Sequence, residues 1–176
     1  MAFEMDVREL AATGKYLTFL LGDEEYGVEV EKVERIIGMT DITPVPRMPH
    51  FLRGVINLRG RILPVVDLRS KFGMPPLEGE QEQACIIVIE VPRERDVLLM
   101  GALVDAVSEV LDIPLNAIES AATLGSDCDT AFILGLARVD GGIKILLDTD
   151  SVLTGSEVHQ VSRVASVMEE NEREQE

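Results

Sequence analysis

The 176-residue chain is 46% apolar, enough to bury a core as one domain or as two small ones sharing an interface, which excludes disorder of the whole chain. Its 32 acidic against 16 basic residues give a formal charge of -16, a balance that repels nucleic acid and anionic lipid. Cys85 and Cys128 lack C-x-x-C spacing, and the N-terminus has neither a basic nor an apolar region, so zinc and redox motifs, a secretion leader and membrane insertion are not expected and a cytoplasmic protein is.

Val7, Leu10 and Ala11 fall at helical spacing and predict an N-terminal arm or short helix over residues 1–14. Lys15 to Leu21 and Glu25 to Val30 are strand-like and read as a first hairpin around Gly22-Asp23-Glu24. Val30, Val33, Ile36 and Ile37 then recur at three to four residues, predicting a brief helical turn or a bulge before Gly38. Pro44, Pro46 and Pro49 make residues 41–49 a rigid, extended connector. Arg53 to Leu68 is the organising stretch, two apolar strands meeting at Arg59-Gly60-Arg61, with Pro64 expected at an edge or bulge because it offers no ladder donor. Gly73, Pro75, Pro76 and Gly79 mark a loop from Lys71 to Gln83 and an approximate division near residues 79–83, across which strands are free to pass. Ala84 to Val91 and Val97 to Val104 repeat the hairpin design, and residues 116–129 read as a loop with a turn of helix. Phe132 to Val139 and Ile143 to Leu147 flank Asp140-Gly141-Gly142, a turn that requires positive φ. Val158, Val161, Val164 or Ala165, and Met168 predict a C-terminal helix with Ser156 as its candidate cap, running into an acidic tail, over residues 154–176.

An internal repeat organises these elements. Gly27 to Ile36 matches Gly101 to Val110, and Gly54 to Asp67 aligns without a gap on Gly135 to Asp148, with Gly60 over Gly141 and Ile62 over Ile143. Each half supplies about five short strands punctuated by Gly and Pro, the pattern of a small barrel whose closure removes exposed edges. Two such barrels side by side create a groove at their junction.

Catalytic scaffolds are missing from the sequence. His50 and His159 stand apart from any acid or cysteine cluster, and no phosphate loop, nucleophile elbow or dinucleotide fingerprint is present, so no metal and no cofactor is expected. Asp67, Asp105, Asp112 and Asp148 end apolar strands, where a carboxylate more often makes a turn than serves as a base. An enzyme or other binding module using Asp67 or Asp148 is the alternative reading. Arg59 stays open between a solvent-facing turn residue and an anchor for a protein partner.

At these residues the chain resembles a known family. Asp41-Ile-Thr-Pro-Val-Pro, Phe51-x-x-Gly-Val-Ile-Asn-Leu-Arg-Gly-x-Ile-x-Pro-Val-Val-Asp-Leu and Gly101-x-Leu-Val-Asp-x-Val are similar to the chemotaxis coupling family, CheW, over about Tyr16 to Leu153. The resemblance implies a mainly β fold of two SH3-like five-stranded barrels over residues 15–153. It implies a non-catalytic adaptor between the cytoplasmic tip of chemoreceptors and the regulatory domain of the histidine kinase CheA, recruited to membrane-associated receptor arrays where other CheW-like domains are further partners. Carried over by position, the receptor groove comprises Leu17, Val30, Val33, Ile36 and Arg59, and the kinase-facing edge Val45, Phe51 and Gly54.

Overall fold

The alternating apolar segments form antiparallel hairpins in the computed structural model, which describes residues 4–6, 14–76, 82–120 and 132–175. In chain order these are β2 (Lys15–Leu21) with β3 (Glu24–Glu29), β5 (Leu52–Leu58) with β6 (Arg61–Asp67), β7 (Cys85–Pro92) with β8 (Val97–Val104), and β11 (Ile133–Val139) with β12 (Gly142–Leu147). Between them lie β4 (Val33–Gly38), β9 (Ala106–Asp112), the three-residue β10 (Ile118–Ser120) and a single-turn helix α1 (Leu68–Lys71). Residues 4–6, expected as part of an arm or helix, form a strand β1 (Glu4–Asp6) that pairs with the outer edge of β4, Glu4 opposite Ile37. The free edge of β4 supplies backbone partners for these three residues, whereas Val7, Leu10 and Ala11, whose spacing predicts the helix, lie outside the described residues. Most of the remaining N-terminal arm, residues 79–81 of the expected division and much of the loop at 116–129 lie outside the described residues.

Two sheets result. Their strand orders are β1-β4-β7-β8-β6-β5 and β10-β11-β12-β3-β2-β9. Without the two three-residue strands, the orders correspond term by term: β4-β7-β8-β6-β5 against β9-β2-β3-β12-β11. Each barrel therefore contains a hairpin from the other half of the chain, β2–β3 in the second sheet and β7–β8 in the first. The repeat seen in the sequence is the cause. Gly27 sits opposite Leu146 in the parallel pair of β3 and β12, and its counterpart Gly101 sits opposite Val65 in the parallel pair of β8 and β6. The correspondence reaches individual hydrogen bonds, since Asp67 N–H donates to Phe51 C=O at 2.8 Å and Asp148 N–H to Phe132 C=O at 2.9 Å.

Pro64 lies within β6, one residue before that strand begins its parallel pairing with β8 at Val65. Its missing N–H therefore costs no bond to β8. Gly54 and Gly135 are both placed by close backbone approach: a Cβ on Gly54 would lie 2.1 Å from Thr43 O, and one on Gly135 2.6 Å from Glu119 O. That approach lets the proline connector bridge Thr43 to Val55, as β10 pairs with β11 in the other barrel.

One apolar cluster spans both sheets and includes Leu17, Phe19, Val66, Met100 and Leu147. It takes in Val161 and Val164 of α2 (Gly155–Gln175), whose apolar stripe docks onto the barrels; Met168 lies outside the residues whose side chains are described. Thr154, not Ser156, caps α2: Glu157 N–H donates to Thr154 Oγ1 at 3.2 Å while Thr154 N–H donates to Glu157 Oε1 at 2.8 Å. This reciprocal box sets the helix cap two residues earlier than the sequence suggests, and Lys71 Nζ pins it to α1 through both Glu157 oxygens at 3.0 Å. Among the described residues no helix is long and apolar enough to cross a membrane.

Candidate functional site

The barrels leave a groove of about 660 Å³ where β2 and β9 of the second sheet face the end of β4 and the start of β7. Leu17, Leu20, Met39, Cys85, Val107 and Val110 line it. Val107 and Val110 are three residues apart yet face the groove together because β9 carries a bulge. Leu17 pairs with Val110 and Phe19 with Val107, so Ser108 and Glu109 oppose Thr18 alone. Thr18, fully buried, satisfies the bulged backbone by donating from Oγ1 to Glu109 C=O at 3.0 Å and accepting from Glu109 N–H at 3.2 Å.

The same device explains the three-residue spacing that reads as helical in the first half. A 3-10 turn does occupy Val30–Lys32, but the spacing of Val33 and Ile36 comes from a register shift in β4 opposite β7. These two residues are the repeat counterparts of Val107 and Val110. Their burial differs: Val33 and Ile36 belong to the core cluster, whereas Val107 and Val110 are half-buried, packed against that cluster and lining the groove. Val30, Val33 and Ile36 accordingly lie in the shared core, and Leu17, although only 1% exposed, contributes to the groove floor. Leu20, Met39, Val107 and Val110 are among the lining residues that sequence reasoning missed. The repeat was the signal that could have found two of them.

Arg59 is not among the groove-lining residues. It is exposed at the tip of the β5–β6 hairpin, at the opposite end of β6 from Asp67. Its φ is 53° and that of Gly60 is 87°, the left-handed pair of a type I′ turn. Asn57 Oδ1 accepts from Gly60 N–H at 2.9 Å and braces the turn. The counterpart turn holds Asp140 at φ 52° and Gly141 at 77°, the sequence that this geometry favours. Arginine there carries a Cβ penalty of about 1 kcal/mol that asparagine or glycine would reduce. A residue that burdens its own turn points to a use for the side chain.

Of the kinase-edge residues, Val45 is half-buried and lines a second cleft, of about 320 Å³, between the proline connector and α2, together with Met48, Arg163 and Val167. Phe51 lies in the shared core, with Lys71 Nζ 5.1 Å from its ring centre. Gly54 is buried and serves by its lack of a side chain.

The strand-end acids are engaged in the fold. Asp67 caps α1 through Ser70 N–H and pairs with Arg53 at 3.3 Å. Asp105 receives Arg69, Asp112 pairs with Lys15 at 3.3 Å, and Asp148 accepts from Asp150 N–H and Ser151 Oγ. Burial pushes the Cys85 thiol up to about 11, against a lowering bond from the Val107 backbone, so it stays a protonated lining group at neutral pH.

Comparison with known proteins agrees with this arrangement. The CheW-like domain family matches residues 15–157. The chain is 34% identical to the chemotaxis protein CheW of Klebsiella aerogenes over 86% of this chain and 88% of that one. It is 40% identical to the CheW of Thermotoga maritima over 78% and 85%. Among solved structures it is similar to the scaffolding protein TtCheW of Thermoanaerobacter tengcongensis, with a TM-score of 0.72, 34% identity, and 82% of this chain and 96% of that one covered.

Proposed function

The chain belongs to the CheW-like domain family, and on that premise we propose that it is a non-catalytic chemotaxis adaptor joining chemoreceptor tips to the regulatory domain of the kinase CheA. The observation that carries this reading is the open groove between the barrels, whose apolar walls fit the ridges of a helical coiled coil. Leu17 forms its floor, while Val30, Val33 and Ile36 belong to the core cluster that Leu17 joins. Arg59, exposed at the tip of the β5–β6 hairpin, offers a planar cation as a further contact for the same partner. The kinase docks on the first barrel at the connector, where Val45 offers side-chain surface and Phe51 and Gly54 fix the backbone that presents it. Such a protein acts at receptor arrays, where other CheW-like domains are neighbours. The engagement of Asp67 and Asp148 in caps and turns supports binding over catalysis.

Isotope-labelled chain titrated with a receptor-tip coiled coil should shift the amides of Leu20, Val107 and Val110, while the kinase regulatory domain shifts residues 42–54. Both partners should bind at once. Competition for one surface, or no shift with either, would sink the proposal.

A further inference from the structure

Asp105 is the single residue between β8, in the first sheet, and β9, in the second. Every direction from it is tied. Arg69 donates from Nε to Asp105 Oδ1 at 2.9 Å and from Nη2 to Oδ2 at 2.6 Å, a forked pair. Gly22 N–H donates to the same Oδ2 at 2.7 Å, and Asp105 N–H donates to Leu20 C=O at 3.0 Å. Arg69 Nη1 reaches Pro75 C=O at 2.8 Å. One carboxylate thus joins the crossover, the β2–β3 turn and α1, and the two side chains are only 12% and 13% exposed. Leu20, Ala106 and Val107, immediately beside this knot, line the groove.

The repeat supplies an internal comparison. The chain also crosses between sheets at Val30–Lys32, where one ion pair, Lys32 with Asp150 at 3.4 Å, is 35% and 45% exposed. Asp150 stands at the position that Arg69 holds in the other half. The near-buried, forked clamp borders the groove. A buried ion pair adds little net stability over an apolar or neutral replacement, but a planar guanidinium fixes the direction of both oxygens it holds. Its distinctive product here is geometry.

We propose that Arg69 and Asp105 are positioning residues that set the wall of the inter-barrel groove, and through it the affinity for the receptor coiled coil. The inference rests on the adaptor reading above. The double variant Arg69→Gln/Asp105→Asn tests it, because asparagine keeps an acceptor for Gly22 N–H and no unpaired charge is left behind. Cooperative unfolding should persist near the wild-type midpoint, and the amides of Leu20, Ala106 and Val107 should move before any partner is added. Receptor-tip affinity should fall about tenfold while affinity for the kinase regulatory domain stays within about twofold. Arg69→Lys, with a charge but no fork, should be intermediate. Wild-type binding of the receptor tip with an unchanged double variant overturns the clamp alone, as does a parallel loss of both partners. If the double variant unfolds, and Arg69→Lys folds yet binds like wild type, the pair is purely structural. A wild-type chain that binds no receptor tip overturns the adaptor reading and this inference with it.

Discussion

Replacing Arg59 by asparagine removes the guanidinium while improving the turn that presents it, so stability and binding should move in opposite directions. The left-handed φ of 53° at Arg59 carries a Cβ penalty of about 1 kcal/mol, which asparagine lessens through local hydrogen bonding. Because the side chain is exposed, removing it creates no cavity. Arg59→Asn should therefore raise the unfolding free energy by about 0.5 to 1 kcal/mol. Arg59→Ala keeps the Cβ and should stay within about 0.5 kcal/mol of wild type. Both should weaken receptor-tip binding by about 1 to 3 kcal/mol, roughly 5- to 150-fold, and Arg59→Lys should recover little of the loss because a point charge lacks the planar fork. Denaturant unfolding and calorimetric titration of the same preparations measure both quantities. A large loss of stability in Arg59→Asn with unchanged binding would make Arg59 a brace of the turn and refute the reasoning.

Gly54→Ala should destabilise by about 3 kcal/mol or more, since its Cβ would meet backbone oxygen at 2.1 Å with φ at 144°, whereas Gly60→Ala, with open space around it, should cost about 1 kcal/mol; equal losses in thermal unfolding would contradict this. Residues 1–79 and 80–176 made separately should show no cooperative unfolding, because each lacks a hairpin of both barrels, yet should reconstitute dispersed amide spectra when mixed; a half that folds alone would refute the exchange. Burial raises the Glu157 carboxyl, but the Thr154 N–H and the Lys71 ammonium outweigh it and hold the group below its ordinary 4.5. A depressed carboxylate stabilises fully above its unfolded value, so α2 docking should persist at neutral pH and weaken as pH falls below about 4.5 through the lowered folded value. Helical circular dichroism should show this loss in wild type and not in Glu157→Gln.

Much of the local structure was legible from the residues. Asp140-Gly141 demanded a left-handed turn, alternating apolar side chains demanded strands, and the match of Gly54–Asp67 to Gly135–Asp148 announced two related barrels, because each of these depends on neighbours within a few positions. What the sequence could not assign was the company each strand keeps. The parallel pairs that join β3 to β12 and β6 to β8 link residues far apart in the chain, and a strand's own alternation says nothing of which hairpin lies beside it. The tertiary structure also decided the meaning of a three-residue apolar spacing. Val33 and Ile36 were sealed into the core and their counterparts Val107 and Val110 left half-buried along the groove, for burial depends on what packs against a strand's face, which its own spacing does not state. Likewise Asp105 reads as one strand-end acid among several. Only the approach of Arg69 from α1 and of Gly22 from the β2–β3 turn makes it the knot of the crossover, since a carboxylate takes its role from the donors that converge on it in space.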